Sequence, residues 1–173
     1  MSIAVKTRSS WPVSISEAKR HLRVDEDFHD DDDYIQNLIY AATERAQNWI
    51  GKDIAETVNV QELFDWTGQY LTVQEGNFIS YTQGIIEDSS TLVTAVDTQI
   101  YYNYAYIKLS QSVSTDEFTP FIVTYKTGYE EQQVPVVIKQ AIQIMIGGMY
   151  DGDEERVAKT WQNMLNAYRK MIF

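Results

Sequence analysis

The spacing of apolar residues changes its period twice along this chain, and that change constrains the fold most. From Pro12 to Ile50, and again from Pro135 onward, apolar residues recur every three or four positions, the period of an amphipathic helix. Between Glu56 and Tyr129 that spacing disappears, and Val, Ile, Thr, Tyr and Phe dominate, as on a pleated, half-buried surface. A chain of this pattern is α+β: two N-terminal and two C-terminal helices form a frame flanking a central antiparallel β insertion. The parts are residues 1–55 (helical), 56–129 (β-rich) and 130–173 (helical), expected to make one compact domain overall.

The helix signals are specific. Ser14 is a candidate N-cap and Glu17, three residues on, completes a capping box, with Val13 placed to staple onto Ala18. Ile15, Ala18 and Leu22 share one face of a short helix ending near Arg23. Seven acids in the nine residues from Asp25 to Asp33 lead into a second helix, where carboxylates complement the unpaired N–H groups of the first turn. Ile35, Leu38, Ile39, Ala42, Ala46, Trp49 and Ile50 follow at helical spacing, and Gly51 is placed to end the element in a left-handed conformation. Pro135 suits the first turn of a third helix. That helix is apolar on more than one face, so deep burial is expected within the subunit or between subunits. Its Gly147-Gly148 pair suits close helix packing or a bend. After Asp151-Gly152-Asp153, a fourth helix carries Val157, Trp161, Met164, Leu165, Tyr168 and Ile172 on one stripe.

In the middle, the expected strands are Val58–Phe64, Tyr70–Val73, Gly84–Ile86, Ile100–Leu109 and Phe121–Tyr125. Turn material separates them at Trp66-Thr67-Gly68, Glu75-Gly76-Asn77, Glu87 to Ser90 and Ser114-Thr115-Asp116. Strand pairing is not readable at this level.

Composition excludes several functions. The chain has no Cys, which removes disulfides, thiolate metal sites and a Cys nucleophile. It has only two histidines, His21 and His29. His29, Asp27, Asp30 and their neighbours could collect a cation, but a helix start accounts for the same acids, and a calcium loop's alternation and glycine are missing. No metal and no cofactor are therefore expected. There is no G-x-S-x-G elbow, no phosphate-binding lysine loop and no G-x-G-x-x-G fingerprint, so no enzyme is expected and no catalytic residue is assigned. Trp11, Trp49, Trp66 and Trp161 could stack on single-stranded nucleic acid, but such platforms need a basic groove and Trp66 lies among acids, so core or interface packing is expected. Met1–Ser10 lacks the apolar run of a signal peptide, and no segment reaches membrane-spanning length, so no membrane partner is expected.

The formal net charge is −11, which argues against tight, sequence-independent DNA binding. Its distribution is uneven. Met1–Arg23 holds five bases and one acid, Arg156–Phe173 four bases and no acid, and Glu56–Phe118 nine acids and one base, Lys108. This is either an ordinary solubilising surface or a sign that ends and middle face different surroundings in an assembly.

The segment from Val13 to Asp25, with Leu22-Arg23-Val24-Asp25 before the acids, then Tyr34-Ile35, Leu38-Ile39 and Ala42 leading to Trp49-Ile50-Gly51, resembles the head–tail connector (neck adaptor) family of long-tailed bacteriophages. Val134-Pro135, Ile138 to Ile142, Met149-Tyr150 and Ala167-Tyr168-Arg169 resemble its longer subgroup, which has a β insertion. The chain departs from that pattern at Asp151-Gly152-Asp153, where the family often has an aromatic and an Asn/Arg pair.

The resemblance implies a structural subunit of a homo-oligomeric ring of about a dozen copies beneath the portal. It also implies portal and tail or head-completion proteins as partners, and transient, non-specific passage of DNA. The place of action would be the virion, after synthesis in the bacterial host cytoplasm. Arg169 and Lys170 are the candidate partner-docking residues; a solvated helix end whose cations complement the macrodipole is the plainer account of both. The alternative is a small phage DNA-packaging or regulatory binding module acting as a monomer or dimer.

Overall fold

A computed structural model of the chain describes residues 2–8, 10–73, 77–86, 91–101 and 104–169. It divides into two compact units, a β unit of Met1–Ser9 with Glu56–Tyr129, and a helical unit of Ser10–Ala55 with Glu130–Phe173.

The helical unit contains α1 (Ile15–Leu22), α2 (Asp32–Ile50), α3 (Val136–Tyr150) and α4 (Glu154–Asn166). Helix α1 starts as its sequence requires: Ser14 Oγ accepts the Glu17 amide, and the Glu17 carboxylate accepts the Ser14 amide at 2.8 Å. Helix α2 ends on Gly51 at φ 69, a left-handed turn that suits glycine. Its buried face is Ile35, Leu38, Ile39, Ala42, Ala46 and Ile50. Gln47 is also buried there, and its side-chain oxygen accepts the amides of Ile54 and Ala55, satisfying the chain as it leaves the helix. Helix α3 buries Ile138, Ala141, Ile142, Met145 and Ile146. The Gly147-Gly148 pair acts through Gly148: an added Cβ would lie 2.4 Å from Val157 Cγ2, so only glycine lets α3 and α4 approach this closely.

The β unit is a sandwich. The five-stranded sheet has the order β1-β2-β8-β4-β5, built from β1 (Ser2–Arg8), β2 (Thr57–Leu63), β4 (Phe78–Ile86), β5 (Thr91–Val93) and β8 (Phe121–Thr127). The three-stranded sheet has the order β3-β7-β6, from β3 (Thr67–Val73), β6 (Ala95–Tyr101) and β7 (Tyr104–Ser114). All pairings are antiparallel. Strands β2 and β8 alternate strictly, and their inward Leu63, Phe121, Val123 and Tyr125 join Leu71, Val73, Ala105, Ile107 and Leu109 in the core. Where the inward positions are polar they bond one another: Asn59 Nδ2 donates to Thr127 Oγ1 at 2.7 Å, and the Tyr125 hydroxyl to Gln61 Oε1 at 3.2 Å. Gly84 is needed for close approach, since a Cβ there would meet the Phe121 ring at 2.4 Å. The Tyr81 hydroxyl donates to the Val93 carbonyl at 2.7 Å, and burial pushes its pKa up to about 12.

Several strand expectations need correction. The run Ile100–Leu109 is not one strand: Tyr101 pairs with Tyr104, so the chain reverses inside it and two strands result. Uniform β propensity hid the reversal, because propensity marks residues suited to a sheet and not the ladder they join. Thr67 and Gly68 belong to β3 and not to a turn, since pairing with Ser114 and Val113 holds them extended. Strand β4 begins six residues earlier than Gly84. Strands β1 and β5, unforeseen, are ordered by tertiary pairing to β2 and β4. The turn residues 75–76 and 87–90 lie outside the described residues, as does Ile172 of the α4 stripe.

Candidate functional site

The acidic segment before α2 is organised by a cation belonging to the chain itself. Lys19 sits four residues after Ile15 on the inner side of α1 and is 3% exposed. Its Nζ donates to the backbone carbonyls of Phe28 at 2.7 Å and Glu26 at 3.3 Å, and forms an ion pair with Asp32 in the first turn of α2. His29 Nδ1 lies 2.8 Å from the other Asp32 oxygen. The Lys19 hydrogen bond, then that of His29, hold the Asp32 carboxyl below the usual carboxylate range. Helix α1, the acidic loop and the start of α2 therefore meet on one buried ammonium. Among the described residues there is no group of three or more His, Asp or Glu placed to hold a metal ion.

Lys19 escaped the sequence reading. The available signal was a lysine on an apolar helix face directly before a run of acids.

Further polar contacts fasten the helices together. Lys139 of α3 pairs with Glu17 at 3.3 Å. Burial raises the Glu17 carboxyl, but the Ser14 amide and Lys139 outweigh it and leave it below its ordinary value. Arg45 of α2 pairs with Glu154 of α4. The Tyr150 hydroxyl donates to Asp31 at 3.3 Å, and burial followed by that carboxylate raises its pKa.

Arg169, one of the two candidate docking residues, lies at the other end of the helical unit, beside the C-terminal turn of α2. Arg169 is exposed, and its guanidinium carbon sits 5.1 Å from the centre of the Trp49 ring. Trp49 Nε1 donates to Asn166 Oδ1 at 3.2 Å, and its ring meets buried Trp161 edge-on at 5.4 Å. A Trp pair therefore supports Arg169, an ordered cation on an aromatic platform. Lys170 lies outside the described residues.

The β unit presents its own surface. The outer face of the three-stranded sheet carries a shallow cleft of about 330 Å3 lined by Tyr70, Asp97, Gln99, Tyr106 and Lys108. Phe64, Leu92, Val96, Ile100 and Phe118 are also largely exposed on this unit.

The phage gp6-like head-tail connector family model matches residues 12–107, more than half of the chain. That match defines the class as structural connector proteins of phages. The chain belongs to the phage gp6-like head-tail connector family. No curated protein matches the sequence. Among solved structures, the fold is similar to a chain of the neck of an empty GTA particle computed with sixfold symmetry. The TM-score is 0.70 at 12% identity, covering 98% of this chain and 97% of that one. A chain in the virion of a native gene transfer agent (GTA) particle matches with the same figures. One in the neck of a native GTA particle computed with twelvefold symmetry matches at a TM-score of 0.69, with 12% identity and the same coverage.

Proposed function

We propose that this chain is a structural, non-catalytic subunit of a head–tail connector ring that sits beneath the portal in the virion, lines part of the DNA channel and joins head to tail. The observation that carries this reading is agreement between two independent comparisons. The family match covers α1, α2, strands β2 to β6 and the start of β7, and the fold likeness to neck proteins extends over nearly the whole length of both chains. The charge supports it too: at −11 the protein is a poor anchor for a polyanion, as a channel through which DNA slides must be. The partners are further copies of the chain, the portal and a tail or head-completion protein.

Arg169 is a docking candidate because it is exposed and packs on the Trp49 ring; Lys170 extends the same basic segment. Negative-stain images and light scattering of the chain, alone and with its portal, test the ring. The double variant Arg169→Glu/Lys170→Glu should lose ring or portal binding while keeping the wild-type circular dichroism spectrum. Unchanged assembly would remove these residues from the docking surface.

A further inference from the structure

The three-stranded sheet ends on β6, whose one ladder partner among the described residues is β7. The strand leaves the core soon after it starts. Ala95 packs against the sandwich interior, but every residue from Val96 to Ile100 is exposed. Thr98 and Ile100 stand opposite Ile107 and Ala105, so they point to the same face of the sheet as those two buried side chains. On β7 that face lies in the core. On β6 it is bare, and Ile100 is 58% exposed.

Edge strands are ordinarily blunted by shortness, by lysine, by proline or by a bulge. Strand β5, an edge of the other sheet, is three residues long. Strand β3, the opposite edge of the same sheet, exposes only Thr67 and Tyr70. Strand β6 has seven residues, with no lysine, arginine or proline. Its bulge falls at the start, between Ala95 and Asp97, and the register is regular from Asp97 to Tyr101. Its one charge is Asp97, which stands opposite Lys108 and accepts Gln99 Nε2 at 3.3 Å. Such an edge is a template for another extended strand.

The sequence of β6 is complementary to itself. Two antiparallel copies related by a two-fold axis at Thr98 place Thr98 opposite Thr98, Asp97 opposite Gln99, and Val96 opposite Ile100. These are favourable cross-strand pairs: two β-branched hydroxyls, a carboxylate with an amide, and two apolar side chains. The apolar pair is the one most in need of cover, at 65% and 58% exposure. No like charges meet. Moving the axis to between Thr98 and Gln99 sets the Asp97 carboxylate against Ile100, so the pattern selects one register.

We infer that two copies of the chain pair β6 to β6 about Thr98, joining their three-stranded sheets into one of six strands. The contact is isologous. Neighbours in a cyclic ring meet through two different surfaces, so this contact belongs to the chain before assembly and goes beyond the ring reading.

Sedimentation equilibrium of the full chain should show a dimer. It should tighten several-fold as salt rises, because the contact is main-chain and apolar whereas two copies of net charge −11 repel. Thr98→Lys sets like charges opposite each other and should leave the chain monomeric at the same concentration, as should Thr98→Glu. Both change an exposed side chain and should keep the wild-type circular dichroism spectrum. An equimolar mixture of the two should dimerise again. In a chain with no cysteine, Thr98→Cys should oxidise to a disulfide-linked dimer, and Tyr70→Cys of β3 should not. A monomeric wild type, a dimeric Thr98→Lys, or a mixture that stays monomeric overturns the inference. So does preferential linkage of Thr98→Cys to Tyr70→Cys, which would set β6 of one copy beside β3 of the next. Rings without the Thr98 linkage would discard this contact and leave the ring reading standing. The Thr98-linked dimer from a chain that forms no ring with its portal would do the reverse.

Discussion

The helical unit and the β unit reach order by different routes. In the helical unit the decisive interactions are short in sequence: a capping box spanning Ser14 and Glu17, a left-handed stop at Gly51, and Lys19 bonded to carbonyls seven and nine residues away. In the β unit the partners are distant. Thr57 pairs with Thr127, Ser2 with Glu62, and Asn59 bonds a hydroxyl 68 residues on. The surfaces differ as well. Both units hold ion pairs and expose some large apolar side chains, but among the described residues the β unit leaves more of them in solvent, Phe118, Val96 and Tyr70 included, against Val136 and Tyr34 of the helical unit. Local order makes the first a frame, and the second, stabilised by a sandwich core, can present its outer faces to partners.

Three experiments break or sharpen this contrast, the largest expected effect first. Phe121→Ala removes a fully buried ring from the middle of the sandwich and should cost about 4 kcal/mol. Hydrogen exchange should show the β strands losing protection while α2 and α3 keep theirs. Equal loss in both units would mean that they unfold together and that the contrast is only descriptive.

Lys19→Met should cost about 2 kcal/mol, because it strands the carbonyls of Glu26 and Phe28 without their donor. Urea melts give the size. Exchange should increase in the loop and the first turn of α2, with the β unit unchanged.

The smallest effect is that of acid. Asp32 and Glu17 have carboxyls held below their unfolded values, so each stabilises the fold above roughly pH 4 and loses that contribution as pH falls through its lower folded value. The urea midpoint should fall below about pH 4, and Asp32→Asn should flatten part of that fall. An unaltered pH profile in Asp32→Asn would show that the ammonium of Lys19 does not depend on that carboxylate.

The same contrast explains what could be read in advance. Ser14, Glu17 and Gly51 act within a turn or two of themselves, so their roles were legible. So was the α+β frame, because the period of apolar residues is a property of a stretch and not of its partners. Strand β1 was not legible: residues 2–8 are extended because β2 lies alongside, and β2 is more than fifty residues away. The reversal within Ile100–Leu109 was hidden for a related reason, since both arms suit a sheet equally well. Lys19 was missed because two of its partners are backbone carbonyls, which carry no residue identity to search for, and the third, Asp32, is one acid among seven. Arg169 was legible as a basic end, but Trp49 beneath it was not, because the two are brought together only by the packing of α2 against α4.

The place of β1 has a consequence for synthesis. This strand leaves the ribosome before β2, the strand it pairs with, which emerges only after α1 and α2. At about 5–20 residues per second, the wait is of the order of several seconds. For that time a nascent strand is available to any other edge nearby, including one on a neighbouring polysome. Lys6 and Arg8 are well placed for that interval, since charged residues on an unpaired strand discourage mispairing. The cations of β1 therefore guard that strand until β2 arrives.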